Sequence, residues 1–128
     1  MQQSKQRKYS LEELQVFEVA IVEKLDNAHS ELKSILDTLG KKKENRTDTN
    51  IKMLEDSAEV AEQESLSQLA ARQRKFIAEL EAALLRIKNG TYGVCVVTGE
   101  LIDKARLKAV PHTKYSLAAK LSDKFVVR

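Results

Sequence analysis

The chain has 128 residues and a formal net charge of +3, and 32% of its residues are charged whereas only 5% are aromatic. This length suits a single domain, and so mild a net charge does not by itself indicate binding to nucleic acid or to a membrane. No apolar run approaches the ~18 residues of a membrane span, and the N-terminus lacks the apolar core of a signal peptide. We therefore expect a cytoplasmic protein built from exposed helices. The single cysteine excludes an internal disulfide.

The first predicted helix begins at Ser10, after a flexible basic arm over residues 1–9. Ser10 and Glu13 form an S-x-x-E capping box, in which each side chain satisfies an unpaired backbone N–H. Gly40 is predicted to end this helix. Between these limits apolar residues follow a heptad, with Phe17 able to enter the seam beside Glu18. The heptad positions are Leu11, Leu14, Ile21, Leu25, Ala28, Leu32, Ile35 and Leu39.

A second helix is predicted from about Asp48 to Asn89, capped by Thr47 or Asp48, because no proline or glycine interrupts it and its apolar residues have a period near 3.6. The polar segment 40–49 supplies the turn, and so short a connection makes the two helices antiparallel neighbours. Matching apolar residues across the pair brings Leu32 to Ala58 and Ala28 to Ala61. Residues 10–89 are thus predicted to form a long antiparallel coiled-coil hairpin in a mainly α fold.

Residues 90–128, called here the C-terminal module, are predicted to form a β-hairpin followed by a short helix. Gly90 ends the second helix, Thr98-Gly99-Glu100 forms a tight turn, and Ser116 caps a helix that reaches about Lys124. Apolar residues of this segment are numerous enough to hold the module by packing. They are Val94, Val96, Val97, Leu101, Ile102, Leu107 and Val110, with Leu117, Ala118 and Leu121 facing inward from the short helix.

The C-terminal module has the spacing of a zinc ribbon without its ligands. Two residues separate Cys95 from Thr98 and Ser116 from Ala119, and seventeen lie between the two pairs. Cysteine at all four positions would make C-x2-C-x17-C-x2-C, a zinc-binding pattern. A structural zinc needs four thiolate, imidazole or carboxylate ligands, and these substitutes do not provide them. We predict no bound zinc and, at most, a partial site formed by Cys95 and His112. On this interpretation Cys95 is a small buried hydrophobic residue.

With these features the chain resembles the DksA/TraR family of bacterial transcription regulators over about residues 10–122. The resemblance rests on the long hairpin and on a set of module residues: Tyr92-Gly93-x-Cys95, Gly99, Ile102 with Arg106-Leu107, and Pro111. It implies a protein that binds RNA polymerase and inserts its coiled coil into the secondary channel. There an acidic tip would modulate initiation.

The resemblance also implies the residues that would act. The family's acidic D-x-x-D-x-A motif is matched here by Asp56-Ser-Ala-Glu59-Val-Ala61, and Glu55 is a rival for the first acidic position. Some family members respond to the nucleotide ppGpp through basic residues. Arg72 matches one such position, whereas Glu79 occupies another.

No catalytic motif is present: the chain lacks a P-loop, a G-x-G-x-x-G loop and H-E-x-x-H, so we expect a binding protein and not an enzyme. A structural coiled-coil adaptor or self-associating protein without polymerase contact would use the same heptads, and it stays the alternative to a monomeric regulator. Direct DNA binding through the arm with Lys104, Arg106 and Lys108 is not expected. These charges lack interleaved aromatic residues and a recognition helix.

Overall fold

The computed structural model describes residues 8–48 and 57–121, and within these ranges it contains four helices. They are α1 (Leu11–Asp48), α2 (Ser57–Asn89), α3 (Lys104–Ala109) and α4 (Leu117–Lys120). The same ranges contain no β-strand, only one isolated antiparallel bridge between Val94 and Leu101. None of their helices is long and apolar enough to cross a membrane. The prediction of a mainly α fold with two long helices is confirmed.

The chain divides into two compact units. The first combines the residues up to Leu25 with those from Glu79 onward, and the second is Asp26–Ala78. Both long helices contribute to each unit. The arm over residues 1–9 lies outside the described residues except for Lys8 and Tyr9.

The start of α1 has the predicted capping box. The Ser10 N–H donates to Glu13 Oε1 at 2.9 Å, and the Glu13 N–H donates to Ser10 Oγ at 3.1 Å. Each side chain thereby satisfies a donor that the first turn of a helix leaves unpaired.

The heptad of α1 is largely confirmed by burial. Leu14, Phe17, Ile21 and Leu25 are buried in the first unit, and Phe17 does enter the seam beside Glu18. Leu11 is the exception, since it is 78% exposed. At this end of α1 it is Tyr9, just before the helix, that is buried in place of Leu11.

Gly40 does not end α1, which continues to Asp48. Its φ is not positive, whereas a glycine that terminates a helix at C′ adopts the left-handed conformation. A glycine inside a helix lowers the stability of that helix by about 1 kcal/mol relative to alanine, which is too little to end a long helix by itself. The predicted helix end at Gly40 and the predicted cap of the second helix at Thr47 or Asp48 are therefore wrong.

The predicted pairing of the two helices is also wrong in the second unit. Ala58 and Ala61 are exposed, and it is Gln73 whose side-chain amide donates to the Ala28 carbonyl at 3.1 Å. Gln73 lies about three turns further along α2 than Ala61. Because α1 continues through Gly40, the connection comes later in the chain and each α1 residue faces a later part of α2. The buried residues of α2 in this unit are Ala70 and Ile77.

The C-terminal module begins where the sequence predicts. Gly90 has a φ of +79°, and the carbonyl of Arg86 accepts the N–H groups of Thr91 at 2.9 Å and Tyr92 at 3.2 Å. Gly90 therefore ends α2 as predicted. The turn at Gly99 is also present, with its N–H donating to the Cys95 carbonyl at 2.8 Å.

The core of the module is smaller than expected. Tyr92, Cys95, Ile102 and Leu107 are almost fully buried. The exposed residues include five that were predicted to belong to the core: Val96, Val97, Leu117, Ala118 and Leu121. Residues 96–98 form a turn where a strand was expected, and α4 is a single turn that buries Ala119. The predicted β-hairpin is thus reduced to the Val94–Leu101 bridge.

Tyr9 packs onto this core from the start of α1. Its hydroxyl donates to the Ile102 carbonyl, and its ring lies edge-on to Phe17 with centroids 5.6 Å apart. The ring also covers Gly93, where an added Cβ would lie 2.5 Å from a ring carbon. Gly93 has a φ of +82° as well, so both its backbone conformation and this close approach exclude a side chain.

The pairing of α1 with α2 predicts a cost for Gln73→Ala. The variant loses the hydrogen bonds from the Gln73 amide to the Ala28 carbonyl and to Glu31 Oε1, both at 3.1 Å. Its free energy of unfolding, measured by urea titration, should fall by about 0.5–1.5 kcal/mol. Gln68→Ala, at an exposed position of the same helix, controls for helix propensity and should leave the midpoint nearly unchanged. Equal midpoints for the two variants would contradict the observed pairing.

The contact between Gly93 and Tyr9 predicts a difference between two glycine substitutions. Gly99 has a similar φ of +76°, but an added Cβ there meets no atom within 4 Å. Gly99→Ala should therefore lower the free energy of unfolding only by the cost of placing alanine at a positive φ, about 1–2 kcal/mol. Gly93→Ala should lose about 1–3 kcal/mol more, because it must displace a buried ring. The two free energies of unfolding are measured by denaturant titration, and the contact is disproved if Gly93→Ala costs no more than Gly99→Ala.

Candidate functional site

The four positions with zinc-ribbon spacing lie together in the structure. The Thr98 N–H donates to Cys95 Sγ at 3.5 Å, and the backbone and side chain of Ser116 lie near enough to this sulfur to lower the pKa of the thiol. The Ala119 N–H in turn donates to Ser116 Oγ at 3.1 Å, which is the predicted cap of α4. Cys95 and Ala119 are both buried. The chain therefore gathers these positions around one sulfur atom.

The surroundings of Cys95 are polar, unlike those expected for a small hydrophobic residue. Burial raises the pKa of the Cys95 thiol, but the hydrogen bonds from Ser116 and Thr98 outweigh it and bring the pKa to about 6. Hydrogen bonds to the charged form of a group favour that form. The sulfur is thus a hydrogen-bond acceptor held by its neighbours, which spacing alone does not reveal.

The side chains at these positions do not fit a structural zinc ion. Tetrahedral zinc sites use four sulfur, nitrogen or carboxylate ligands, and only Cys95 belongs to that set. His112 does not complete the group, since its Nε2 lies 3.4 Å from Glu79 Oε1. Within residues 8–48 and 57–121 there is no cluster of three or more His, Cys, Asp or Glu side chains that could hold a metal ion.

The loop before α4 is held by α3 and Tyr92. Arg106 donates through Nε to the Tyr115 carbonyl at 2.9 Å and through Nη2 to Thr113 Oγ1 at 3.4 Å. The hydroxyl of the fully buried Tyr92 donates to the Pro111 carbonyl at 2.8 Å. Sequence reasoning missed α3, although the helix-forming run Lys-Ala-Arg-Leu-Lys-Ala after Asp103 was a usable signal.

A cleft of about 420 Å³ lies beside this loop and is rich in positive charge. Arg86 lines it and donates to the His112 carbonyl at 3.2 Å. Burial lowers the pKa of His112, while the neighbouring Glu79 carboxylate raises it. The other charged residues of the lining are Arg106, Lys114 and Lys120. The His112 carbonyl carries no net charge and does not neutralise the Arg86 guanidinium. The cationic side chains of the lining therefore favour the binding of anions.

The residues predicted for an acidic tip are only partly described. Glu59 lies in the first turn of α2 and is half-buried, and Ala61 is exposed. Asp56 and Glu55 lie outside the described residues. Arg72, the predicted nucleotide contact, is exposed on α2.

Comparison with known proteins points to one family. Residues 90–120 match the family model of the prokaryotic dksA/traR C4-type zinc finger. The chain is 48% identical over 48 residues to the RNA polymerase-binding transcription factor DksA of Caulobacter vibrioides, which is 38% of this chain and 34% of that protein. It is 44% identical over 46 residues to general stress protein 16O of Bacillus subtilis, covering 36% of this chain and 28% of that protein. The matched segments thus span about a third of these relatives or less.

The fold is also similar to a solved structure. Transcription factor DksA2 from Pseudomonas aeruginosa superposes with a TM-score of 0.74 at 20% sequence identity, covering 84% of this chain and 79% of that one. At this identity the similarity concerns the fold.

These observations define a class: two long α-helices that carry a small zinc-finger-like module in which one ligand cysteine of four remains. Residues 90–120, in the C-terminal module, match the model of the DksA/TraR zinc-finger family, which agrees with the resemblance seen in the sequence.

Proposed function

We propose that this chain is a transcription regulator that binds RNA polymerase, acts in the cytoplasm as a monomer and catalyses no reaction. The observation that carries the proposal is the match of 48 residues of the chain, at 48% identity, to a protein named as an RNA polymerase-binding transcription factor. The similarity of the fold to transcription factor DksA2 supports it.

The proposed mechanism divides the work between the helices and the module. The long helices would enter the secondary channel of polymerase, and the module would dock outside it. Asp56 and Glu59 stand three residues apart, so on a continuous helix both carboxylates would share one face. Their charge would compete for cations or basic side chains near the active centre, with Ala61 allowing close approach and Glu55 as the alternative first acid.

A response to ppGpp is a further part of the proposal. The exposed guanidinium of Arg72 is the proposed contact. The carboxylate of Glu79 beside His112 does not favour an anionic ligand, so any response would depend on the surrounding cations.

We also propose that the module folds without zinc, because Thr98, Ser116 and Ala119 supply no metal-binding side chain of the kind that structural zinc requires. Elemental analysis of the purified chain should find far less than one zinc per molecule. A chelator should leave its melting temperature unchanged, in contrast with small domains that unfold when metal is removed. Stoichiometric zinc that survives dialysis would instead return Cys95 and His112 as ligands.

Polymerase binding is tested by purifying the tagged chain from bacterial lysate and by titrating it with purified RNA polymerase. We expect polymerase subunits in the eluate and a saturable complex with the purified enzyme. Recovery of the chain only in complexes with itself would favour the coiled-coil adaptor.

The acidic tip is tested by Asp56→Asn combined with Glu59→Gln, which removes charge and preserves size. This variant should still bind polymerase but should no longer change transcript yield in a purified initiation assay. Its stability should change little, because charges near a helix end contribute only about 0.3–1 kcal/mol each.

The matched control is Glu23→Gln combined with Asp26→Asn, an exposed acidic pair with the same spacing on α1. It should behave as the parent chain does. A tip variant as active as the parent would remove Asp56 and Glu59 from the mechanism, and loss of polymerase binding would make them a docking site.

A further inference from the structure

Two short backbone segments meet at the sulfur of Cys95. We call residues 95–99 the first frame and residues 116–120 the second frame. In the first frame the Thr98 N–H donates to the sulfur, and the Gly99 N–H donates to the Cys95 carbonyl at 2.8 Å. In the second the Ala119 N–H donates to Ser116 Oγ at 3.1 Å, and the Lys120 N–H donates to the Ser116 carbonyl at 3.0 Å. Each frame thus places its second position within one turn of the first.

The two frames are also fixed to each other. The Val96 N–H, next to Cys95, donates to the Lys114 carbonyl at 3.0 Å. Both the backbone and the side chain of Ser116 lie near enough to the Cys95 sulfur to lower the pKa of the thiol. Cys95 and Ala119, one in each frame, are only 1% and 4% exposed.

The family match implies a zinc finger, and the arrangement around Cys95 differs from one in a single respect. The positions are clustered and Cys95 and Ala119 are buried, whereas the side chains at Thr98, Ser116 and Ala119 cannot ligate zinc. The Thr98 hydrogen bond and the nearby polar groups of Ser116 meet at one sulfur, where four metal–ligand bonds would connect the same segments. The difference therefore lies in the donor atoms and not in the course of the backbone.

We propose that the hydrogen-bonded sulfur of Cys95 replaces the metal as the link between the two frames, and that the backbone still has the geometry of a four-ligand site. Three substitutions, Thr98→Cys, Ser116→Cys and Ala119→Cys, then suffice to create a tetrahedral zinc site. The inference builds on the proposal that the parent module is metal-free, and it is independent of polymerase binding.

The first experiment measures metal binding by the full-length chain carrying all three substitutions. Titration with Co²⁺ should give one ion per chain, with the intense visible bands of tetrahedral thiolate coordination, and Zn²⁺ should displace it. Competition with a chromophoric chelator should show zinc binding at least about a hundredfold tighter than in the control, because four thiolates replace one.

The control carries the same number of added thiols at exposed neighbouring positions: Val97→Cys, Leu117→Cys and Ala118→Cys. It should bind Co²⁺ weakly and without the tetrahedral bands. The restored variant is allowed to be unfolded without metal, provided that zinc returns its helical circular dichroism to that of the parent. If it binds zinc no better than the control, or remains unfolded with zinc, the backbone does not have the proposed geometry.

The second experiment tests the sulfur of the parent chain as an acceptor. Cys95→Ser keeps an acceptor for the Thr98 N–H and a polar neighbour for Ser116, whereas Cys95→Val keeps an apolar group and removes the acceptor of this part-buried donor. We expect the denaturation midpoint to fall further in Cys95→Val than in Cys95→Ser. The opposite order would show that Cys95 acts only as a small hydrophobic residue, and would overturn its role as the link.

A low zinc content of the parent chain would support only the proposal that it is metal-free. The two experiments above would still be needed to test the geometry of the backbone and the role of Cys95. Conversely, stoichiometric zinc in the parent would refute the metal-free proposal, whatever the restored variant binds. Failure of the two ideas is therefore distinguishable.

Discussion

The packing of three aromatic rings is the interaction on which the first unit depends. Phe17 on α1 lies between Tyr9 and Tyr92, with ring centroids 5.6 Å and 5.3 Å away. Tyr9 and Tyr92 also donate hydrogen bonds to the carbonyls of Ile102 and Pro111, which belong to different parts of the module. Offset and edge-on ring pairs contribute about 0.5–1.5 kcal/mol beyond the burial of their surface. The rings therefore connect the start of α1 to both halves of a module that has few other buried groups.

Polar contacts complete what this small core begins. Arg106 fixes the loop from Thr113 to Tyr115, and Lys104 on the same helix lies 2.8 Å from Glu13 of the capping box. A module of about this size usually needs a disulfide or a metal ion to fold by itself. Here α1 and α2 supply part of the core, and hydrogen bonds converge on Cys95. The module is thus held by contacts that involve the rest of the unit.

Two features of this construction bear on the proposed regulator. Packing against α1 and α2 holds the module, so the proposed docking surface would not depend on a metal ion. The basic cleft beside His112 would attract a negatively charged partner.

The sequence by itself determined the local features of the chain. The capping box at Ser10, the heptad from Leu14, the end of α2 at Gly90 and the cap at Ser116 all follow from interactions between residues close in sequence. The spacing of Cys95, Thr98, Ser116 and Ala119 also predicted four positions that the structure brings together, and their side-chain chemistry does not suit zinc.

Only the tertiary structure decided how these features combine. Gln73 faces Ala28 because of where the connection between the helices lies. Gly40 did not specify that point, since glycine occurs both inside helices and at their ends. Apolar residues at Val96, Val97 and Leu121 look like core residues in the sequence, yet they are exposed because turn geometry directs them outward. The fold alone brought Ser116 to the sulfur of Cys95, since their separation in sequence does not reveal that they are neighbours.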